Sequence, residues 1–106
     1  MNKQDFVNNI DLKHTNTLIT ISNDIGKMIE YNLSMIAVRQ TNYTITVSKN
    51  VPVEYYNLSV PSYVTMKNMI IEQFQDFNPS VELKTSTSKD GDKDLYFITC
   101  IFKFSL

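Results

Sequence analysis

Three aspartates spaced by two, Asp90, Asp92 and Asp94, stand in the stretch TSTSKDGDKDLYFITC from Thr85 to Cys100. Carboxylates in such a run are hard oxygen donors, so the first chemistry to weigh is a calcium loop. Counted from Asp90, the sharp-turn glycine of that loop should stand at Leu95 and its bidentate glutamate at Ile101, and neither is there. A hairpin explains the same residues better. Asp90-Gly91 is a dipeptide favoured in a type I′ turn, in which both central residues need positive φ. That loop sets Val81 opposite Cys100, Leu83 opposite Ile98 and Thr85 opposite Tyr96. The apolar residues of the first strand then meet apolar residues on one face, and a one-residue slip would turn them away.

The other reactive types are sparse. Cys100 is the only cysteine and sits in the apolar run LYFITCIFKF, where a buried, inert thiol is expected, since a nucleophile needs exposure and a lowered pKa. His14 is the only histidine and falls in the polar stretch DLKHTNT, which reads as a solvated loop or cap. One His and one Cys cannot make a zinc site. The acidic residues are dispersed, no His stands near a Ser or Cys in any motif, and the two glycines, Gly26 and Gly91, are isolated. Paired carboxylates, a nucleophile with its base and a phosphate-cradling loop are therefore all without support. The expectation is a chain that is not an enzyme, with no cofactor and no metal.

The elements that would position any site follow from periodicity. In NKQDFVNNIDL, Phe6 and Ile10 are one helical turn apart and Asn2 is placed to cap, which predicts a short helix from Asn2 to Ile10. Leu18, Ile21, Ile25, Met28, Ile29, Leu33 and Ile36 form a stripe spaced by three and four, predicting a helix from Asn16 to Val38. Thr17, Thr20 and Ser22 are poor helix residues, and a strand over residues 17–22 is the fallback. Tyr43, Ile45 and Val47 then alternate with Thr44, Thr46 and Ser48 as in a strand with one wet face. SKN reads as a turn and VPVEYYNLSV as a return strand, confined to an edge by Pro52 or holding Pro52 at its start, with a bulge or bend where the apolar parity slips between Tyr55 and Tyr56. Residues 62–77 form an amphipathic helix with Tyr63, Met66, Ile70, Phe74 and Phe77 on one face, ended by Asn78-Pro79. The last strand is apolar on both sides, as central strands are. The expected fold is thus a single α+β domain over residues 1–106. It has N-terminal helices and an antiparallel sheet of about four strands from two hairpins, residues 43–60 and 81–105. The 62–77 helix packs on one face.

Composition narrows the function classes. Apolar content of 42%, charge of 20% and a net charge of −1 are those of an ordinary globular domain. Lys and Arg are scattered, against nonspecific duplex binding and a polybasic membrane anchor. No apolar run approaches a membrane span, the N-terminus lacks the apolar core of a secretory signal, and the expected compartment is the cytoplasm. Asn, Ile and Lys are frequent while Ala and Arg occur once each, a bias of AT-rich coding. The reading that results is a small protein-interaction module, of the kind of a phage-type accessory factor that inhibits a host protein. Its candidate contact residues are Tyr55, Tyr56, Leu95, Phe97, Ile101 and Lys103, the surplus apolar and aromatic surface with one flanking cation. The alternatives are a homo-oligomeric assembly protein, in which a second copy covers that surface, and a single-strand nucleic-acid binder stacking bases on sheet aromatics.

Overall fold

The structure, a computed structural model describing all 106 residues, begins with one helix, α1 (Lys3–Met35), where two were expected. The segment DLKHT between the expected helices holds no proline or glycine. The threonines that argued against helix are accommodated within it: the Thr17 and Thr20 hydroxyls donate to the carbonyls of Lys13 and Asn16 at 2.9 and 3.0 Å. Residues 17–22 are therefore helical. Asn2 caps as expected, its Oδ1 accepting from the Asp5 amide at 2.8 Å. The helix stops at Met35 rather than Val38, because Ile36 turns extended at ψ 120°.

Strand β1 (Asn42–Val51) runs straight through the expected SKN turn. Lys49 breaks the apolar alternation in sequence but not in space. It lies on the core-facing side, its stem half-buried and its ammonium 3.1 Å from Asp24 of α1. The expected return strand does not form. Pro52, which has no amide hydrogen to donate, ends β1, and residues Val53–Tyr55 wind into a 3-10 turn. The parity break between Tyr55 and Tyr56 marks that turn rather than a bulge. Helix α2 (Val60–Gln73) follows, with Pro61 in its first turn, and a second 3-10 turn spans Gln75–Phe77. Asn78 then takes a left-handed conformation, φ 46°, and leads into β2 (Ser80–Asp90) and β3 (Lys93–Ser105).

The sheet accordingly has three antiparallel strands in the order β1-β3-β2, not four. β3 is central, as its two apolar faces demand. The hairpin register also differs from expectation. Gly91 and Asp92, not Asp90 and Gly91, are the loop, with Asp90 opposite Lys93. Only Gly91 has positive φ, at 64°, which is the requirement of a type II′ turn rather than I′. Val81 therefore faces Phe102 and Leu83 faces Cys100. The shift relative to expectation is two residues, an even number, so the same side chains stay on the same face.

Both helices lie on one side of this sheet. A single hydrophobic cluster draws Leu18, Ile25 and Ile29 from α1, Met66 and Ile70 from α2, and Val47, Val81, Ile98 and Phe102 from the strands. Gly26 sits where α1 meets α2, and a Cβ there would run into the side chain of Gln73. Aromatic rings close the core at one end, where Phe77 meets Phe104 edge-on at 5.0 Å and Tyr43 stacks on Phe104 at the same distance. No helix is long and apolar enough to cross a membrane.

Candidate interaction surface

Strand alternation decides where the six candidate residues go. Tyr96, Ile98, Cys100, Phe102 and Phe104 point toward the helices, so Leu95, Phe97, Thr99, Ile101 and Lys103 form the central column of the opposite face. Nothing lies over that column. Its residues from Leu95 to Ile101 are partly exposed and Lys103 is exposed, although β3 is flanked on both edges. The flanks are polar. On the β1 side Thr46 is level with Ile101, Ser48 with Thr99 and Asn50 with Phe97. On the β2 side the same levels hold Glu82, Lys84 and Ser86. The Ser48 and Thr99 hydroxyls are bonded to each other at 2.8 Å, and Lys84 bridges its own neighbour Glu82 at 3.6 Å. The face is thus an apolar stripe between two hydroxyl-rich borders, with its charges partly paired.

Tyr55 and Tyr56 are not part of it. Both follow β1 on the helix side. Tyr55 stacks on His14 at a ring distance of 5.7 Å, and Tyr56 packs against core-facing Tyr96 at 5.1 Å. The six candidates therefore divide into four that share a face and two that do not. The Tyr56 carbonyl also accepts from the Tyr63 hydroxyl at 3.0 Å. Burial foremost, together with the proximity of Tyr56, pushes the Tyr63 phenol up from its ordinary value, against the opposing effect of a backbone hydrogen bond at Leu58.

The stacking on Tyr55 belongs to a pairing that linear reading missed. His14 is a half-buried helix residue rather than a loop residue, and its Nε2 lies 3.1 Å from the Oγ of Ser62, 48 positions away. Ser59, the N-cap of α2, bonds the same Ser62 Oγ at 3.1 Å. A histidine beside a serine is the start of a nucleophile–base pair, but that pair works only when a third group orients the imidazole. Here the only side-chain hydrogen bond of the ring is the one to Ser62. Ser62 Oγ is instead held between His14 and Ser59, which ties the start of α2 to α1. No sequence signal announced this contact, because neither residue stands in a motif.

The remaining reactive groups are dispersed by the fold. Asp90, in register with Lys93, has the parity of the open face; Asp94, 3.4 Å from Lys89, has that of the helix side. Cys100 is wholly buried and free, and burial pushes its thiol up to about 11. A shallow cleft of about 470 Å³ lies at the sheet end among Tyr43, Phe77, Asn78, Lys103 and Phe104. Comparison with family models, with curated proteins and with solved structures finds no match.

Proposed function

We propose that this chain is a non-enzymatic protein-interaction module whose contact surface is the open face of the sheet, centred on Phe97 and Ile101. The observation that carries the reading is the asymmetry of β3. Its two faces are both apolar in sequence, both helices cover one, and the other stays uncovered. A column of Leu, Phe and Ile bordered by hydroxyls has the make-up of an interface, an apolar centre with a polar rim. Protein rather than nucleic acid is favoured by charge. Lys84, already engaged by Glu82, flanks the column, and Lys93 and Lys103 stand singly at its two ends, whereas single-strand binders run their aromatics along a continuous cationic groove. A factor that acts by covering part of another protein, as an inhibitor does, needs no more machinery than this face.

The test places a photo-reactive benzoylphenylalanine at Phe97 and, as a control, at the exposed Thr65 of α2. Irradiation in expressing cells should give protein adducts from position 97 that Ile101→Lys abolishes. Equal labelling from both positions, or none from 97, refutes the reading.

A further inference from the structure

We infer that the cleft at the end of the sheet takes a carboxylate, so that the partner of the open face is a protein segment that sets an acidic group at Lys103 and apolar side chains along Ile101 and Phe97. This gives chemistry to the partner of the reading above and stands on that reading.

The cleft is a consequence of unequal strand ends. β1 and β3 stay paired as far as Asn42 and Ser105, whereas β2 begins at Ser80, opposite Lys103. Before Ser80 the chain turns away through Pro79 and the left-handed Asn78, so Phe104 and Ser105 lack a strand neighbour on that side. The step leaves about 470 Å³, within the range of small-ligand sites, with Phe77 and Phe104 among its walls.

Its polar groups are donors. One level across the three strands places Thr44, Lys103 and Ser80 side by side on the open face, with Lys103 in the middle. Strands lie about 4.8 Å apart, so either hydroxyl can share an oxygen that is seated on the ammonium. Asn42 accepts from the Ser105 hydroxyl through its Oδ1 at 2.6 Å, which leaves its NH₂ group to donate. No acidic residue lines the cleft.

Charge then selects the ligand. Lys84 bridges Glu82 at 3.6 Å and Lys93 has Asp90 opposite it, so each of these cations has an acid beside it. Lys103 has only Thr44 and Ser80 at its level, and none of the three ion pairs of the chain involves it. The open face therefore carries one unbalanced positive charge, placed at the cleft, although the chain as a whole stands at −1. One ammonium between two hydroxyls matches a carboxylate. A phosphate carries more charge and is held by arginine clusters or helix N-termini, and the cleft has neither. Along β3, Ile101 is about 7 Å from Lys103 and Phe97 about 20 Å, so in the partner the acid stands at the end of an apolar stretch of that length.

Nuclear magnetic resonance titration of the isotope-labelled chain with hydrocinnamate, a phenyl ring on a short carboxylate, tests the cleft. The amide resonances of Thr44, Ser80 and Lys103 should move saturably, with a dissociation constant on the order of 1–10 mM for so small a ligand. Its neutral amide should bind about three- to tenfold more weakly, and Lys103→Gln should lose the same factor while Lys93→Gln loses none. Equal binding of acid and amide, a Lys103→Gln chain that binds like the natural one, or inorganic phosphate bound more tightly than hydrocinnamate overturns the carboxylate site. So does the absence of saturable shifts by about 50 mM, several times the expected constant. In cells, Lys103→Glu sets acid against acid and should remove most of the adducts from benzoylphenylalanine at Phe97. Adducts unchanged by it, or adducts only to a second copy of the chain, overturn the acidic partner. Hydrocinnamate bound by a chain that gives no adduct at all overturns the interaction module and leaves the carboxylate site standing.

Discussion

Ser22 offers the sharpest check on the packing. It lies in the buried seam of α1 beside Ile21 and Ile25, is fully enclosed, and its Oγ has no hydrogen-bond partner. The two threonines nearby solve the same problem by donating to carbonyls four residues back; Ser22 does not. A buried hydroxyl left unpaired costs about 1–3 kcal/mol of desolvation, and serine is about half a kcal/mol poorer than alanine in a helix interior. Removing one oxygen leaves a void smaller than a methyl group, which offsets only part of this. Ser22→Ala should therefore stabilise the fold by about 1–2 kcal/mol, and raise Tm by roughly 5–10 °C for a chain of this size. Urea denaturation at neutral pH gives the answer directly, as a higher midpoint with an unchanged slope. Thr20→Ala, which sacrifices an exposed hydrogen bond while gaining propensity, should lie within about half a kcal/mol of the natural chain. A neutral or destabilising Ser22→Ala would falsify the assignment, since it would mean that the hydroxyl is satisfied.

Three further outcomes are expected. Gly26→Ala should be neutral to about 1 kcal/mol stabilising, because the new methyl meets only the flexible end of Gln73 while the helix gains propensity; a midpoint lowered by more than 1 kcal/mol in urea would show that Gln73 cannot move. Gly91→Ala should cost about 1–2 kcal/mol, because φ 64° is left-handed and the space around it is open, so the cost is backbone strain alone; Gly91→Asn, which tolerates that region, should recover part of it. Alkaline pH should destabilise the fold through Cys100, whose thiol goes from 9.0 when unfolded to about 11 when buried. The neutral thiol is the folded-state form, so this contribution is complete below pH 9, fades as pH rises toward 11, and amounts to about 2–3 kcal/mol. Tyr63, raised mainly by burial, acts in the same direction above pH 10. Urea midpoints that stay level from pH 8.5 to 11 would refute this.

The sequence made the faces of the elements readable more reliably than their boundaries. Hydrophobic parity placed Phe97 and Ile101 together on one side of β3 and Ile98 and Cys100 on the other, and that survives in the structure. Parity is blind to an even shift, however, so the turn was misplaced until the single positive φ at Gly91 settled it. The first hairpin failed for a related reason. Lys49 looks like a turn residue when only its charge is read, whereas its partner Asp24 lies on a helix 25 positions earlier. Pro52 was read as permission for an edge strand, yet it ended the strand. The gap between the two expected helices rested on polar composition, and α1 runs through it because DLKHT holds no proline or glycine to break the helix. What stayed out of reach was long-range: the meeting of His14, Tyr55 and Ser62 depends on α1 crossing the start of α2, which no local pattern encodes.

The open face of the sheet is not the most exposed apolar surface on the molecule. Phe6, Val7 and Ile10 are 56%, 46% and 49% exposed where α1 runs on past His14, and they continue the seam that carries Leu18, Ile21 and Ile25 into the core. Exposure alone would favour this arm over the sheet face. Preorganisation reverses the order. The arm is a short stretch holding Asp5, Val7, Asn8, Asn9 and Asp11, residues that hold a helix poorly without packing, so a partner there would have to bear the entropy of ordering it. The sheet face is fixed by pairing along both edges of β3 and by the cluster beneath it, so its side chains present a stripe already formed, and rigid surfaces bind with less of their contact energy lost to ordering. Hydrogen exchange separates the two sites. Association through the sheet should leave amide exchange of residues 3–12 fast at every protein concentration, while association through the arm would slow it as concentration rises.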